Sequence, residues 1–246
     1  MPDTNLSAQV RGRGWFGVLA ALALGLSACS NGDVISKRYE LPSNLLTVTV
    51  NDDVSLKLVQ DNGYFAEVKA GEKVIDDIKI EVSGTSLSLK NTSSFNWTRS
   101  YDTPREVTLH LPRLRNLYQR GNGLLSSAGV FQQDTMFLHL IGAGDIDLDL
   151  TGNYLNTDLF ELGDMTLRGR MGTMILVMGG NGRFFADGLQ TERCFFQTNR
   201  DSNGDVHVRV SEAAIGTVAG KGTFYYSGNP ANTGFQITGG GRVVRQ

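Results

Sequence analysis

The stretch G-A-G-D-I-D-L-D-L, Gly142–Leu150, decides the fold. Its second half alternates strictly. Ile146, Leu148 and Leu150 fall on one side of an extended chain and Asp145, Asp147 and Asp149 on the other, the period-two texture of a half-buried strand. Its first half is a glycine corner, and that corner recurs. It reads G-N-G at Gly121–Gly123, G-D-M at Gly163–Met165, G-G-N-G at Gly179–Gly182, N-G-D-V at Asn203–Val206, G-K-G at Gly220–Gly222 and G-G-G-R-V at Gly239–Val243. Between the last glycines of successive corners the steps are 21, 19, 19, 22, 18 and 19 residues.

A period of that size marks a repeat architecture, in which each unit buries its apolar side only by stacking on its neighbours. The run D-V-H-V-R-V, Asp205–Val210, repeats the alternation with Val206, Val208 and Val210 inward. Glycine at every corner implies either a positive φ or a close approach of one coil to the next. Units stacked in parallel, about 4.8 Å apart, pair each strand with its equivalent in the next turn. Parallel connections of this kind wind right-handed. The expected fold is all-β: a right-handed parallel β-helix or related solenoid with about twenty residues per turn. An antiparallel sandwich or meander also produces regular strands and turns, and stays open at this point.

Upstream, residues 39–116 read as an irregular β half preceding the repeat half, 117–246. L-L-T-V-T-V (Leu45–Val50) and V-S-L-K-L-V (Val54–Val59) flank the turn signal Asn51-Asp52-Asp53. Val54, Leu56 and Leu58 point inward, as do Val107, Leu109 and Leu111 of E-V-T-L-H-L-P. No segment carries an apolar period of 3.6 residues, so helix content should be low.

The N-terminus reads as an address. Arg11 and Arg13 precede an apolar run from Trp15 to Leu26, too short for a spanning helix of about 20 residues. Then comes L-S-A-C, Leu26–Cys29, which resembles the bacterial lipobox. That resemblance implies a signal peptide over 1–28, cleavage before Cys29, a diacylglyceryl group on its thiol and acylation (palmitate or similar) of the new amine. Several chains on one residue meet the requirement for stable anchoring. Residues 29–38 then form a polar tether, and 39–246 the body. Ser30 after the cysteine fits export to the outer membrane if the source is Gram-negative.

Composition excludes several classes. The chain has 246 residues and a net charge of −2. No basic excess points to nucleic acid. Two cysteines, Cys29 and Cys194, make neither a disulfide framework nor a zinc cluster. Glycine numbers 30, above the usual share of about 7%, and 22 of these lie between Gly121 and Gly241, so the excess belongs to the repeats.

Three places resemble a known bacterial family, the putative auto-transporter adhesin, head GIN domain. They are the succession V-S-L-K-L-V, V-S-G-T-S-L-S-L-K and V-T-L-H-L-P-R-L-R-N-L-Y-Q-R-G-N-G; the G-x-G-D-[IV] corners; and Y-Y-S-G-N-P (Tyr225–Pro230) before G-G-G-R-V. The resemblance runs from about Tyr39 to Gln246. It implies an all-β, β-helical, exported or lipid-anchored protein without established catalytic residues. The corners here read Gly-Ala-Gly, Gly-Asn-Gly and Gly-Lys-Gly where the family favours Gly-Ser-Gly.

Several constellations compete with plain structural roles. Asp145, Asp164 and Asp205 share one corner position, an oxygen column of the kind calcium takes. Arg183, Thr223 and Arg242 interrupt it, and the simpler reading has each aspartate bonding its own turn. Asp145, Asp147 and Asp149, about 7 Å apart in succession on one strand face, suggest glycosidase carboxylates. His110, His139 and His207 stand singly, and Cys194 reads as a small buried side chain. The best surface candidate is Asn91–Arg105, where Phe95, Trp97, Arg99 and Tyr101 alternate with polar residues. It reads either as a recognition loop for a glycan or protein ligand or as a cap over the solenoid core.

The sequence therefore describes a lipid-anchored envelope protein with a non-catalytic binding, adhesive or structural role and no cofactor or metal. A carbohydrate-active enzyme on the same scaffold, or a periplasmic accessory or sensing module, are the alternatives. Replacing the lipidated residue tests the anchor. Cys29→Ser should move the protein from the membrane to the soluble fraction. Mass spectrometry finding an unmodified Cys29 at the mature N-terminus of the natural chain would reject lipidation.

Overall fold

The computed structural model describes residues 32–93 and 103–246. Among these residues the chain forms seventeen strands and one 3-10 turn, with no helix long and apolar enough to cross a membrane. The strands are β1 (Val34–Glu40), β2 (Thr47–Val50), β3 (Ser55–Val59), β4 (Phe65–Gly71), β5 (Ile78–Ser83), β6 (Ser86–Asn91), β7 (Arg105–His110), β8 (Asn116–Gln119) and β9 (Leu125–Gln132). They continue as β10 (Thr135–Leu140), β11 (Ile146–Leu159), β12 (Met165–Met178), β13 (Phe184–Thr198), β14 (Val206–Val218), β15 (Thr223–Ser227), β16 (Asn232–Ile237) and β17 (Arg242–Arg245).

These strands build a β-solenoid with two faces. On one face β9, the first halves of β11 to β14, β15 and β17 pair in parallel. On the other, β8, β10, the second halves of β11 to β14 and β16 do the same. Each coil crosses from the second face to the first at a glycine corner. It returns at a bend on the opposite edge, within the long strands near Gly152 and Asn153, Met171 and Gly172, and Glu192. The parallel solenoid, not the antiparallel sandwich, is thus the architecture.

The N-terminal half belongs to the same stack. β2 pairs in parallel with both β6 and β8, and β3 with both β7 and β9. The coil β2–β3 therefore sits between β6–β7, which follows it in the chain, and β8–β9. Its irregularity lies at the end of the stack, where β1 runs antiparallel to β4, β4 to β7, and β5 to β6. β1 also begins at Val34, inside the stretch 29–38 expected as a tether, so the ordered body starts ahead of Tyr39.

The core fills the space between the faces. Val54, Leu56, Leu58, Val107, Leu109, Leu111, Ile146, Leu148, Leu150, Val206, Val208 and Val210 are all buried, as their alternation requires. Each large aliphatic side chain of this kind stabilises the fold by about 1.5–3 kcal/mol. Phe196 and Phe224 stack at 3.6 Å between ring centroids, joining the two faces in the last coils.

The corner glycines explain the period. A Cβ on Gly144 would collide with the carbonyl oxygen of Gly123; one on Gly163 with that of Gly144; one on Gly182 with that of Gly163. The column continues through Gly204, Gly222 and Gly241, each against the glycine one coil earlier. None of these residues has a positive φ; among the described glycines only Gly32, Gly84, Gly169 and Gly228 do. Of the two reasons for corner glycine, close backbone approach is the one that operates.

Gly144→Ala should therefore cost about 1–3 kcal/mol through overpacking against backbone. Gly129→Ala is the control: Gly129 lies in β9, is exposed, and has open space where a Cβ would stand. That change should stay within about 0.5 kcal/mol. Thermal or chemical denaturation of both variants checks the difference, and equal stability would contradict the close-contact account.

Candidate interaction surfaces

Cys29 and the four aromatic and arginine positions Phe95, Trp97, Arg99 and Tyr101 lie outside the described residues. The chain leaves β6 at Asn91 on one face and re-enters β7 at Arg105 on the other. The segment thus starts and finishes on the glycine-corner edge, in the coil next to the Asn51-Asp52-Asp53 turn. That turn holds both ends. The Asn91 side-chain amide donates to Asp53 at 2.6 Å, and the Asn91 backbone N–H donates to the Asp52 carboxylate at 3.1 Å. The Arg105 guanidinium pairs with Asp53 at 3.0 Å, with its side chain almost fully buried. Asp52 adopts φ 58°, the left-handed conformation an aspartate tolerates in turns.

The corner aspartates act as ties between coils. Asp145 accepts the backbone N–H of Asp164 at 2.8 Å, Asp164 that of Arg183 at 2.8 Å, and Asp205 that of Thr223 at 2.7 Å. They bond forward to the next coil and not, as expected from turn chemistry alone, to their own turn. Arg183 also folds onto the Asp164 carboxylate at 2.6 Å, which holds the guanidinium above its ordinary range. Among the described residues no group of three histidine, cysteine or acidic side chains is arranged to hold a metal ion.

The paired carboxylates of β11 are bridged. Arg168, from the neighbouring strand, reaches Asp149 at 2.7 Å and also bonds Asp147. The hydrogen bond to Asp147, then that to Asp149, raises the guanidinium above its ordinary range against the opposing effect of burial.

The three histidines are not solitary. His110 pairs with Asp61 and His139 with Asp158, each at 2.6 Å, while His207 lies 3.7 Å from Asp187. The bond from His110 is the first cause holding Asp61 below the usual carboxylate range, ahead of the backbone N–H of Gly63. Each imidazole also stacks on an aromatic ring: His110 on Phe65 at 4.0 Å, His139 on Tyr118 at 4.3 Å, His207 on Tyr225 at 4.5 Å. Asp61 stands in the turn after β3 and the other partners on adjacent strands, 18 to 49 residues apart in sequence for the two close pairs and the Tyr225 stack, so long-range packing rather than motif reveals them. In the ladders the ring faces cover one another along the solenoid axis. Each stack takes up one face of each ring, a face on which a sugar would otherwise lie. Cys194 is buried as expected, and burial pushes its thiol up to about 12.

The bend edge carries a groove. It measures about 400 Å³ and spans the coils of β9 to β13. Its floor is the bare backbone at Gly152 and Gly172, where a Cβ would crowd the carbonyls of Gln133 and Asn153. Asp134 and Asn153 stand on one side, their side chains joined by a hydrogen bond. Arg170 and Glu192 stand on the other, 3.7 Å apart. The sequence reading overlooked this place, since its parts are single residues from four coils.

The chain is similar in structure to a putative adhesin from Bacteroides fragilis, with a TM-score of 0.76 and 19% identity over 88% of this chain and 99% of that one. A putative lipid binding protein from Parabacteroides distasonis follows at 0.64 and 16% identity, covering 88% and 98%. A putative adhesin from Parabacteroides merdae gives 0.58 and 15%, again covering 88% and 98%. Identities this low establish a common fold alone. Among curated proteins none matches the chain. The family model for the putative auto-transporter adhesin, head GIN domain, matches residues 44–230, and the chain belongs to that family.

Proposed function

We propose that this protein is a lipid-anchored component of the bacterial cell envelope that binds a glycan or protein ligand without chemically transforming it. The family assignment supports an adhesive role. The observation that supports the non-catalytic part is the state of the outward acidic groups on β11 and at the glycine corners. Of Asp145, Asp147 and Asp149, the carboxylates a glycosidase reading needs, Asp147 and Asp149 are bridged by Arg168 and Asp145 accepts the backbone N–H of Asp164, whose own carboxylate is held by Arg183. Such residues serve cohesion between coils. L-S-A-C at Leu26–Cys29 supports anchoring through Cys29, with the outer membrane the destination in a Gram-negative host.

On this reading the segment around Phe95, Trp97, Arg99 and Tyr101 is the recognition loop. Its ends, Asn91 and Arg105, are fixed on the corner edge by Asp52 and Asp53, a rigid support for the residues between them. Trp97→Ala in the purified full chain tests the assignment on a glycan array and with intact bacterial envelopes. Recognition predicts a loss of binding with the melting temperature nearly unchanged. A capping role predicts a loss of roughly 3–5 kcal/mol in stability instead. A variant with wild-type binding and stability would remove the segment from the proposal.

A further inference from the structure

We infer that the groove on the bend edge is a second recognition site, specific for a neutral pyranose sugar. The inference deepens the ligand-binding reading above but uses a different edge of the solenoid and different residues. Its volume, about 400 Å³, lies toward the lower end of the range of about 300–1,000 Å³ usual for small-ligand sites. Its lining is polar and not the apolar wall that a lipid tail or aromatic ligand needs.

The chemistry of the walls narrows the ligand. A sugar hydroxyl donates and accepts at once, so its site must offer both capacities side by side. Asp134 and Glu192 supply acceptors; Arg170 supplies donors. The amides of Asn153 and Gln132 supply both. At 3.7 Å, Arg170 and Glu192 are close enough to neutralise each other yet too far apart to be hydrogen-bonded. The guanidinium and the carboxylate thus keep their hydrogen bonds for a guest, and two neighbouring ring hydroxyls can bridge them. Arg193 also lies 3.9 Å from Glu192 and pairs with Glu212 at 2.9 Å, so Asp134, Glu192 and Glu212 outnumber Arg170 and Arg193 by one carboxylate, which disfavours sulfated, phosphorylated or uronic sugars. A carbohydrate without charge suits the balance.

The floor adds shape. Gly152 and Gly172 line the groove with backbone alone, and their missing Cβ positions lie against the Gln133 and Asn153 carbonyls of the preceding coil. The groove has no aromatic wall, so binding rests on hydrogen bonds in a half-open site. Affinity for a single sugar should be weak, on the order of 1 mM. A polysaccharide engaging several copies on a cell surface gains from multivalency.

Saturation-transfer difference NMR on the full chain in phosphocholine micelles tests the site. The probes are the methyl glycosides of mannose, galactose and glucose, with methyl glucuronide as the charged comparison. At least one neutral glycoside should bind saturably and the glucuronide markedly less. Arg170→Ala and Glu192→Gln, both at solvent-accessible side chains, should each weaken binding about tenfold without changing the melting temperature. Trp97→Ala should leave this binding intact. Failure of all three neutral glycosides to bind, or binding that survives both groove variants, overturns the inference. Binding that is lost with Trp97→Ala and kept in the groove variants overturns it too, while leaving the recognition-loop reading in place.

Discussion

The whole structure depends on how closely one coil's backbone lies over the next at the glycine corner. At Gly144, Gly163, Gly182, Gly204, Gly222 and Gly241 the space for a Cβ is taken by a carbonyl of the coil beneath. Corners that tight let both faces keep parallel register through β11 to β14, whose 13 to 15 residues wrap continuously around the opposite bend. The period of about twenty residues is the length of chain needed to run along two faces and return to that contact. Inward alternation then places one apolar row per coil into a shared core.

Side chains outside the core extend the same logic. Asp145, Asp164 and Asp205 accept the backbone N–H at the same position of the next coil, Arg168 spans two carboxylates of its neighbour, and Asn203 donates to Asn181 at 2.7 Å. Histidines stack on aromatic rings and pair with aspartates across strands. The faces are therefore occupied with holding coils together. The proposed recognition sites therefore lie at the edges: on the corner side, the residues between β6 and β7, and on the bend side, the groove lined by Gly152 and Gly172.

Much of this was readable from the chain. Strict alternation in Asp145–Leu150 and Asp205–Val210 assigned inward and outward residues correctly, because a strand's period of two leaves no ambiguity once one side is apolar. The recurrence of glycine identified stacked coils. Other features depended on register that no local pattern encodes. That β6–β7 stacks beneath β2–β3, against chain order, follows from long-range pairing. The partners of His110 and His139 stand 49 and 19 residues away. The groove collects Asp134, Asn153, Arg170 and Glu192 from separate coils, and nothing links them in sequence. The aspartates were seen as a column, yet their forward bonds become visible only when the coil spacing is known.

The central claim is that successive corners stack in one straight column, and distances between spin labels test it most directly. The middle residues of the corners, Ala143, Leu162, Asn181, Asn203, Lys221 and Gly240, occupy equivalent places one coil apart. In a chain carrying Cys29→Ser, buried Cys194 takes up no label, so pairs of introduced cysteines report alone. Labels at Ala143→Cys and Gly240→Cys, five coils apart, should lie about 24 Å from each other. Moving the first label to Leu162→Cys should shorten the distance by about 5 Å, one coil. Distances that do not change in step with the number of coils between the labels would contradict the stacked column and the account built on it.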